Sequence, residues 1–252
     1  MNQPTLILTP RYTEDAQALW RAANQLGWHV ERLSSWRIPE TYLSLSEPVL
    51  YLEALFGPTL AEQMGVTLLN PPEDWLVTLP DRYRKRQISI TSLGVARDRT
   101  EPAFIKPPND KSFVAKVYTG ADLPSDLPEE MSVLVSEVVT WESEFRCFVL
   151  NRQLHTYSIY ARLGELQDEL GYQTTAEEQL ALEHFMAELL LDMSVPLPEA
   201  IVVDVGYIQG RGWACIELNA AWGAGIYGCD PVKALAVIRC ASQSQQRCKA
   251  AE

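Results

Sequence analysis

One stretch constrains the fold of this 252-residue chain more than any other, residues 201–227, with the sequence IVVDVGYIQGRGWACIELNAAWGAGIY. Two apolar runs flank a Gly-bearing turn at 209–212, and this pattern predicts a β-hairpin. The first strand carries one acid, Asp204, and the second ends in Glu217 and Asn219. Because side chains i and i+2 of a strand share a face, Glu217 and Asn219 point the same way. A short hairpin can place Asp204 opposite them on that face.

The three polar side chains of this hairpin favour a magnesium site. Two carboxylates and one amide oxygen are hard donors, and Mg²⁺ fills the rest of its octahedron with water and nucleotide phosphates. Carboxylates on otherwise apolar strands also need a compensating charge. A structural alternative stays open, in which Glu217 pairs with a Lys or Arg and Asn219 caps a loop.

The composition is that of a globular protein with a substantial core, since 47% of the residues are hydrophobic and 21% are charged. No apolar run reaches about 18 residues, so no transmembrane helix is predicted. The N-terminus does not have the pattern of a signal peptide. The net charge of −12 disfavours nucleic acid and anionic membranes as partners. Basic residues gather at 82–86 and 106–116, where either a small bound anion or a solvated basic face fits them.

The cysteines show no CxxC pair and no zinc spacing, and their odd number is typical of reduced thiols. We therefore expect a cytoplasmic protein. The five cysteines are Cys147, Cys215, Cys229, Cys240 and Cys248.

Strands and helices alternate in the first third of the chain, which predicts a small parallel α/β lobe. Apolar runs predict strands at 5–8, 28–33, 48–52 and 66–69, and helical spacing predicts helices at 14–26 and 59–64. We expect an N-terminal domain at 1–85 and a second domain at 86–252. The second domain is predicted to have a small lobe at about 86–138 and a large lobe at about 139–245.

The second domain is predicted to be α+β and rich in antiparallel strands. Short helical turns are expected at 73–79 and up to residue 86, and a closing helix and a polar tail follow at 231–241 and beyond. The clearest helix spans 175–193, where Thr175 and Glu178 form a capping box. Its apolar stripe, interpreted as core, contains Leu182, Phe185, Met186, Leu189 and Met193. Strands are predicted at 87–93, 103–106, 112–118, 132–139, 145–150 and 153–161, with a connector at 140–144.

Four features follow one another in a fixed order along this domain. Lys106 ends a strand before a tight turn, Glu137 and Glu144 flank a short connector, a capped helix follows, and the hairpin carries its three oxygen donors. The segments FIKPPNDKSF (104–113), LVSEVVTWESEFRCFV (134–149), VVDVG (202–206) and ELNAAWGAGIYGCDP (217–231) resemble ATP-grasp proteins. The resemblance is greatest to the ATP-grasp clade named for two arginines and one lysine, and it implies a pre-ATP-grasp α/β domain before the ATP-grasp domain.

The resemblance implies a set of nucleotide contacts. Lys106 would contact the α- and β-phosphates, and Arg86 would be the first of the two arginines. Arg146 would be the second arginine and would face the γ-phosphate or an acylphosphate. The phosphate loop at 107–112 lacks the usual glycines, and Lys111 would supply charge there. The remaining implied contacts are Glu137, Val138 and Val139 for adenine, Glu144 for ribose, and Asp204, Glu217 and Asn219 for Mg²⁺.

The resemblance implies an ATP-dependent carboxylate–amine ligase that uses Mg-ATP and an acylphosphate intermediate. Its substrates would be a small-molecule or peptide carboxylate and amine, with Tyr160, Arg162 and Trp222 as candidate contacts. Two alternatives stay open: a nucleotide-binding regulatory or interaction module without turnover, and an ATP-dependent modifier of a protein terminus. A further structural alternative is that Glu144 and Arg146, at i and i+2 of one strand, pair with each other.

Overall fold

A three-stranded parallel sheet forms the N-terminal lobe of the protein, whose computed structural model describes residues 3–109 and 111–244. The strand order is β2–β1–β3, with β1 (Thr5–Leu8), β2 (His29–Arg32) and β3 (Pro48–Tyr51). Helix α1 (Glu14–Gln25) lies between β1 and β2 in the chain, and α2 (Gly57–Gln63) follows β3. The predicted parallel α/β arrangement is confirmed for these elements.

The fourth predicted strand, β4 (Val66–Leu68), lies outside the parallel sheet. It pairs antiparallel with β14 (Ser242–Ser244), a strand in the segment predicted to be a polar tail. The predicted strand at 66–69 is confirmed, but its place in the parallel sheet is wrong, and so is the prediction of a polar tail at 242–244. The preceding helix, α7 (Pro231–Ile238), buries Leu235 and Ile238 in the N-terminal core, which brings the next residues beside β4.

A four-stranded antiparallel sheet with the order β5–β8–β6–β7 forms the small lobe. The predicted strand at 112–118 is shorter in the structure, because Phe113 packs its ring against Tyr118 (centroids 5.9 Å apart) from outside the strand. The elements are α3 (Trp75–Thr78), α4 (Asp81–Arg84), β5 (Ile88–Ser92), α5 (Leu93–Arg97), β6 (Ala103–Lys106), β7 (Lys116–Tyr118) and β8 (Ser132–Ser136).

A five-stranded antiparallel sheet with the order β11–β10–β9–β12–β13 forms the large lobe. Its elements are β9 (Trp141–Leu150), β10 (Gln153–Arg162), β11 (Glu165–Leu166), α6 (Ala176–Leu191), β12 (Ala200–Ile208) and β13 (Gly212–Asn219). The connector predicted at 140–144 is wrong, because β9 already begins at Trp141 and Ser143 pairs with Tyr207. The polar residues that suggested a loop instead belong to a strand.

The two faces of the large sheet have different surroundings. One face presents Phe145 and Val203 to α6, and these residues belong to one apolar core. On the other face, Phe148 packs into the core shared with the N-terminal lobe and α7. Arg146 and Asp204 lie on that same face, two residues before and two after the buried apolar positions of their strands. The end of the face beyond the apolar core therefore carries the polar groups.

Helix α6 begins with the predicted capping box, in which Thr175 and Glu178 each bond the backbone N–H of the other. Four members of its predicted stripe are buried, but Met193 is 77% exposed, so its prediction as a core residue is wrong. The helix ends at Leu191, and the residues beyond it no longer follow the helical period.

Four cysteines, Cys147, Cys215, Cys229 and Cys240, are free thiols, and Cys248 lies outside the described residues. Among the helices of the described residues, none is long and apolar enough to cross a membrane.

Candidate nucleotide and metal site

The β12–β13 hairpin brings the three predicted oxygen donors together. Asp204 lies directly opposite Glu217, and Val202 lies opposite Asn219. The Asn219 amide Nδ2 donates hydrogen bonds to Asp204 Oδ2 and to Glu217 Oε1, both at 2.9 Å. A β-bulge after Asp204 leaves this pairing in place. The hairpin and the shared face are therefore as predicted from the alternation of the sequence.

Two basic residues pair with the two acids of the hairpin. Arg146 donates from Nε to Asp204 Oδ1 (2.9 Å) and from Nη2 to Asp204 Oδ2 (2.6 Å), and Asp204 is only 1% exposed. Lys106, at the end of β6, forms an ion pair with Glu217. The structural alternative for Glu217, pairing with a Lys, is thus realised in this structure.

The surroundings of the hairpin shift the pKa values of Asp204 and Glu217 in opposite directions. Complete burial raises the pKa of Asp204, and Arg146 acts in the opposite direction. Burial also raises the pKa of Glu217, but the charge and hydrogen bond of Lys106 outweigh it, so the pKa lies below its ordinary value. Glu217 is therefore held as a carboxylate.

The donor set fits a hard divalent cation. Within residues 3–109 and 111–244, no three His, Cys, Asp or Glu side chains group in a way that could hold a metal, so the predicted set depends on the Asn219 amide. Two carboxylate oxygens face the same amide nitrogen at 2.9 Å. A 180° flip of the Asn219 amide would exchange its nitrogen and oxygen, so that the amide oxygen would face the two carboxylates. Three such oxygens suit Mg²⁺.

Arg146 is enclosed by polar and aromatic groups. Its Nη1 donates to the Gly225 carbonyl (2.9 Å), and its guanidinium lies 4.7 Å from the Tyr227 ring centroid and 5.6 Å from that of Tyr160. The Tyr160 hydroxyl donates to Glu144 Oε2 (2.9 Å). Glu144 therefore bonds a tyrosine and Arg146 bonds Asp204, which differs from the alternative in which the two pair with each other. Burial raises the pKa of Glu144.

Arg86 connects the small lobe to the large sheet. Its Nη1 donates to the Cys215 carbonyl (2.7 Å), and its Nε donates to Ser136 Oγ (3.2 Å). The guanidinium also lies 4.9 Å from the Trp141 ring centroid. Burial lowers the pKa of Arg86 to about 10. The structure thus places Arg86 at the junction of the lobes, bonded to the strand that carries Glu217.

Glu137 is bonded to the tip of the hairpin. Arg211 donates to both of its carboxylate oxygens (2.9 and 2.5 Å), and the Gln87 N–H donates to Oε2 (3.2 Å). The Arg211 hydrogen bond lowers the pKa of Glu137 to about 2. Val138 and Val139 follow in the partly exposed connector between β8 and β9. The contacts of Glu137 with Gln87 and Arg211 place this acid at the junction between the small lobe and the hairpin.

Lys111 is exposed in the segment between β6 and β7, next to Asp110, which lies outside the described residues. In the same segment the Asn109 amide donates to the Pro71 carbonyl (2.9 Å). This bond connects Asn109 to the chain that leads out of the N-terminal lobe.

Two of the three candidate substrate residues have structural partners. Arg162 donates to both oxygens of Glu178 (2.5 and 2.9 Å), the acid of the α6 capping box. Trp222 is buried in the N-terminal core, and its Nε1 donates to the Leu69 carbonyl (3.2 Å). These placements favour packing roles for both residues, whereas Tyr160 lies beside Arg146.

Sequence reasoning missed Tyr227 and the N-terminal residues Asp15 and Tyr51, which approach Arg146 from outside the large sheet. Periodicity cannot show which residues a separate lobe brings to a site. The only sequence signal was the run of small residues before Tyr227, which indicates a close backbone approach.

A small antiparallel sheet that supplies a lysine lies beside a larger sheet that carries acids and an arginine, as the resemblance to ATP-grasp proteins implies. The family described as the ATP-grasp domain of the clade named for two arginines and one lysine, family 2, matches residues 83–237, more than half of the chain, and the chain belongs to this family. The resemblance stated from the sequence is therefore confirmed. Family membership supports the general class of ATP-dependent carbon–nitrogen ligase.

Solved structures show the same fold. A RimK domain ATP-grasp protein from Sphaerobacter thermophilus DSM 20745 is similar at 15% identity and a TM-score of 0.53, covering 94% of this chain and 98% of that one. The D-cycloserine synthetase DcsG is similar at 12% identity and a TM-score of 0.55, covering 94% and 99%. No curated protein has a sequence that matches this one significantly.

Proposed function

We propose that this protein is an ATP-dependent carboxylate–amine ligase that works through an acylphosphate. One observation carries the proposal: the side chains of Asp204, Glu217 and Asn219 face a common point, with Arg146 and Lys106 directly beside them. This combination provides oxygen donors for Mg²⁺ and positive charge for phosphates within a fold shared with ATP-dependent enzymes.

The proposed reaction has two steps. The carboxylate of the first substrate attacks the γ-phosphorus of ATP, the bond to the β-phosphate oxygen breaks, and ADP leaves. The amine nitrogen of the second substrate then attacks the acyl carbon, inorganic phosphate leaves, and the amine loses a proton. Such reactions need positioning and charge stabilisation more than a protein nucleophile.

The basic residues have clear tasks in this scheme. The transferred phosphoryl group carries its charge on three oxygens, and a planar guanidinium can grip two of them at once. We assign this grip to Arg146 and contact with the other phosphates to Lys106, Arg86 and Lys111. Mg²⁺, when bound with ATP, neutralises phosphate charge and polarises the phosphoryl group. We expect Lys106 to exchange its bond to Glu217 for one to a phosphate oxygen.

The nucleotide base would lie between the lobes, beside Glu137, Val138 and Val139, with the ribose near Glu144. We propose that the chain divides into an N-terminal domain at 1–85 and an ATP-grasp domain at 86–252, and that the second domain holds the nucleotide. The substrates would be a small-molecule or peptide carboxylate and amine, with Tyr160 the best placed of the candidate contacts. We propose that the reaction takes place in the cytoplasm.

One observation favours a second candidate, a nucleotide-binding module without turnover. Both acids of the donor set are paired with the protein's own cations. A module without turnover would keep these ion pairs permanently. In the ligase, the pairs would instead preserve neutrality until Mg-ATP replaces them. A modifier of a protein terminus would use the same chemistry as the ligase with a peptide substrate.

Turnover and binding can be separated in one experiment. ADP and phosphate release would be measured with Mg-ATP and pooled amino acids, small carboxylates and short peptides, alongside binding of an ATP analogue. The variant Glu217→Gln replaces one carboxylate of the donor set with a neutral amide. Glu183→Gln is a matched control on α6, on the opposite face of the sheet, where Glu183 accepts from Tyr157. We expect release by the wild type and the control and a loss of about 100-fold or more in Glu217→Gln.

Two results would overturn the ligase. A flat release signal beside clear nucleotide binding would favour the module without turnover. Equal release by Glu217→Gln and Glu183→Gln would show that the hairpin acid takes no part in the chemistry.

A further inference from the structure

An acid of the N-terminal lobe reaches the surroundings of Arg146. Asp15 lies in the first turn of α1, and its carboxylate faces the loop backbone that runs from Gly225 to Tyr227. Tyr51, at the end of β3, interacts with this carboxylate, which acts to raise the pKa of the tyrosine. Burial raises the pKa of Asp15, which agrees with an acid enclosed between two lobes.

Gly225 lies between this acid and the arginine. A Cβ atom placed on Gly225 would lie 3.0 Å from Asp15 Oδ2 and 3.7 Å from Arg146 Nη1. The Gly225 carbonyl itself accepts from Arg146 Nη1 (2.9 Å). The loop backbone is therefore held from one side by the N-terminal lobe and from the other side by the arginine of the large sheet.

The same loop carries Tyr227 in an unusual conformation. Its φ of 46° lies in the left-handed region, which L-residues other than glycine rarely adopt. Its ring stacks on Tyr160 (centroids 5.2 Å apart, planes at 18°) and lies against the Arg146 guanidinium. Such a conformation persists only where surrounding contacts hold it, and the Asp15 carboxylate lies against this stretch of backbone.

We propose that Asp15 is a positioning residue of the reaction site. By its contact with the loop backbone at 225–227, it fixes Tyr227 over Arg146 and thereby sets the direction in which the guanidinium is presented. The N-terminal lobe would thus contribute to phosphoryl transfer without touching the nucleotide. The catalytic part of this inference rests on the ligase function proposed above.

The test compares Asp15→Ala and Asp15→Asn with Glu14→Gln, a matched change at the exposed neighbouring position of the same helical turn. A 3-fluorotyrosine incorporated only at position 227 reports the surroundings of that ring by ¹⁹F NMR. We expect its resonance to shift or broaden in Asp15→Ala, to change less in Asp15→Asn, which keeps one acceptor oxygen, and to stay unchanged in Glu14→Gln.

The kinetic readout separates positioning from folding. We expect kcat of Asp15→Ala to fall at least about tenfold, with affinity for an ATP analogue within about twofold of the wild type and partial rescue in Asp15→Asn. A Tyr227 resonance that is the same in Asp15→Ala and Glu14→Gln would overturn the proposal. So would a fall in kcat that the fraction of unfolded Asp15→Ala protein fully accounts for. The NMR readout needs no turnover, so it distinguishes failure of this inference from failure of the ligase function.

Discussion

Replacing Asp204 with Asn removes one charge from a buried ion pair while almost preserving its shape. The acid accepts two hydrogen bonds from Arg146, at 2.9 and 2.6 Å, and is 1% exposed. Asn keeps one acceptor oxygen but places an NH₂ group against a guanidinium N–H. Removing one partner of a buried pair costs about 3–5 kcal/mol, and we take about 3 kcal/mol because one acceptor stays. A chain of this size then unfolds about 6–12 °C lower.

The assay is thermal and urea unfolding of the protein without nucleotide or Mg²⁺. The matched control is Glu137→Gln, which changes the acid of the bidentate but exposed pair with Arg211, where we expect an effect within about 1 kcal/mol. Equal midpoints for the two variants, or an Asp204→Asn midpoint within error of the wild type, would refute the view that the Asp204–Arg146 pair is buried and structurally coupled.

Three further changes test other parts of the structure. Gly57→Ala should destabilise the protein by about 1–3 kcal/mol in urea unfolding, because the new Cβ would lie 2.8 Å from Trp222 Cη2; no loss would contradict the core position of that indole. The hydrogen bond from Arg162 lowers the pKa of Glu178 to about 2. The ionised Glu178 therefore stabilises the folded protein above about pH 4.5, and this contribution is lost as the pH falls towards 2. Glu178→Gln should flatten that part of the stability–pH curve, and an unchanged curve would argue against the pair. Met193→Gln should change the free energy of unfolding by no more than about 0.5 kcal/mol, and a larger loss would place this side chain back in the core.

Local patterns were sufficient to predict the hairpin and the main helix. Strand alternation fixes that Glu217 and Asn219 share a face, and the turn length allows only a few registers, one of which puts Asp204 opposite Glu217. The capping box of α6 is likewise a local signal, read from Thr175 and Glu178. These features depend on residues that are close in sequence, so a single chain reveals them.

Contacts between distant segments could not be predicted in this way. The antiparallel pairing of β4 with β14 joins residues far apart in the chain, and neither segment has a sequence pattern that identifies the other as its partner. Trp222 follows the proposed metal donors in sequence, but its indole packs against Gly57 in the N-terminal lobe. The polar start of β9, at 142–144, resembled a connector because three consecutive polar residues show no apolar alternation.

The most direct test of the central claim is calorimetric titration of the protein with a non-hydrolysable ATP analogue, with and without Mg²⁺. If Asp204, Glu217 and Asn219 hold the ion that accompanies the nucleotide, Mg²⁺ should raise the affinity of the wild type at least about tenfold, or about 1.4 kcal/mol, and Glu217→Gln should lose most of that gain. An affinity that does not depend on Mg²⁺, or a gain that the variant keeps in full, would contradict the account.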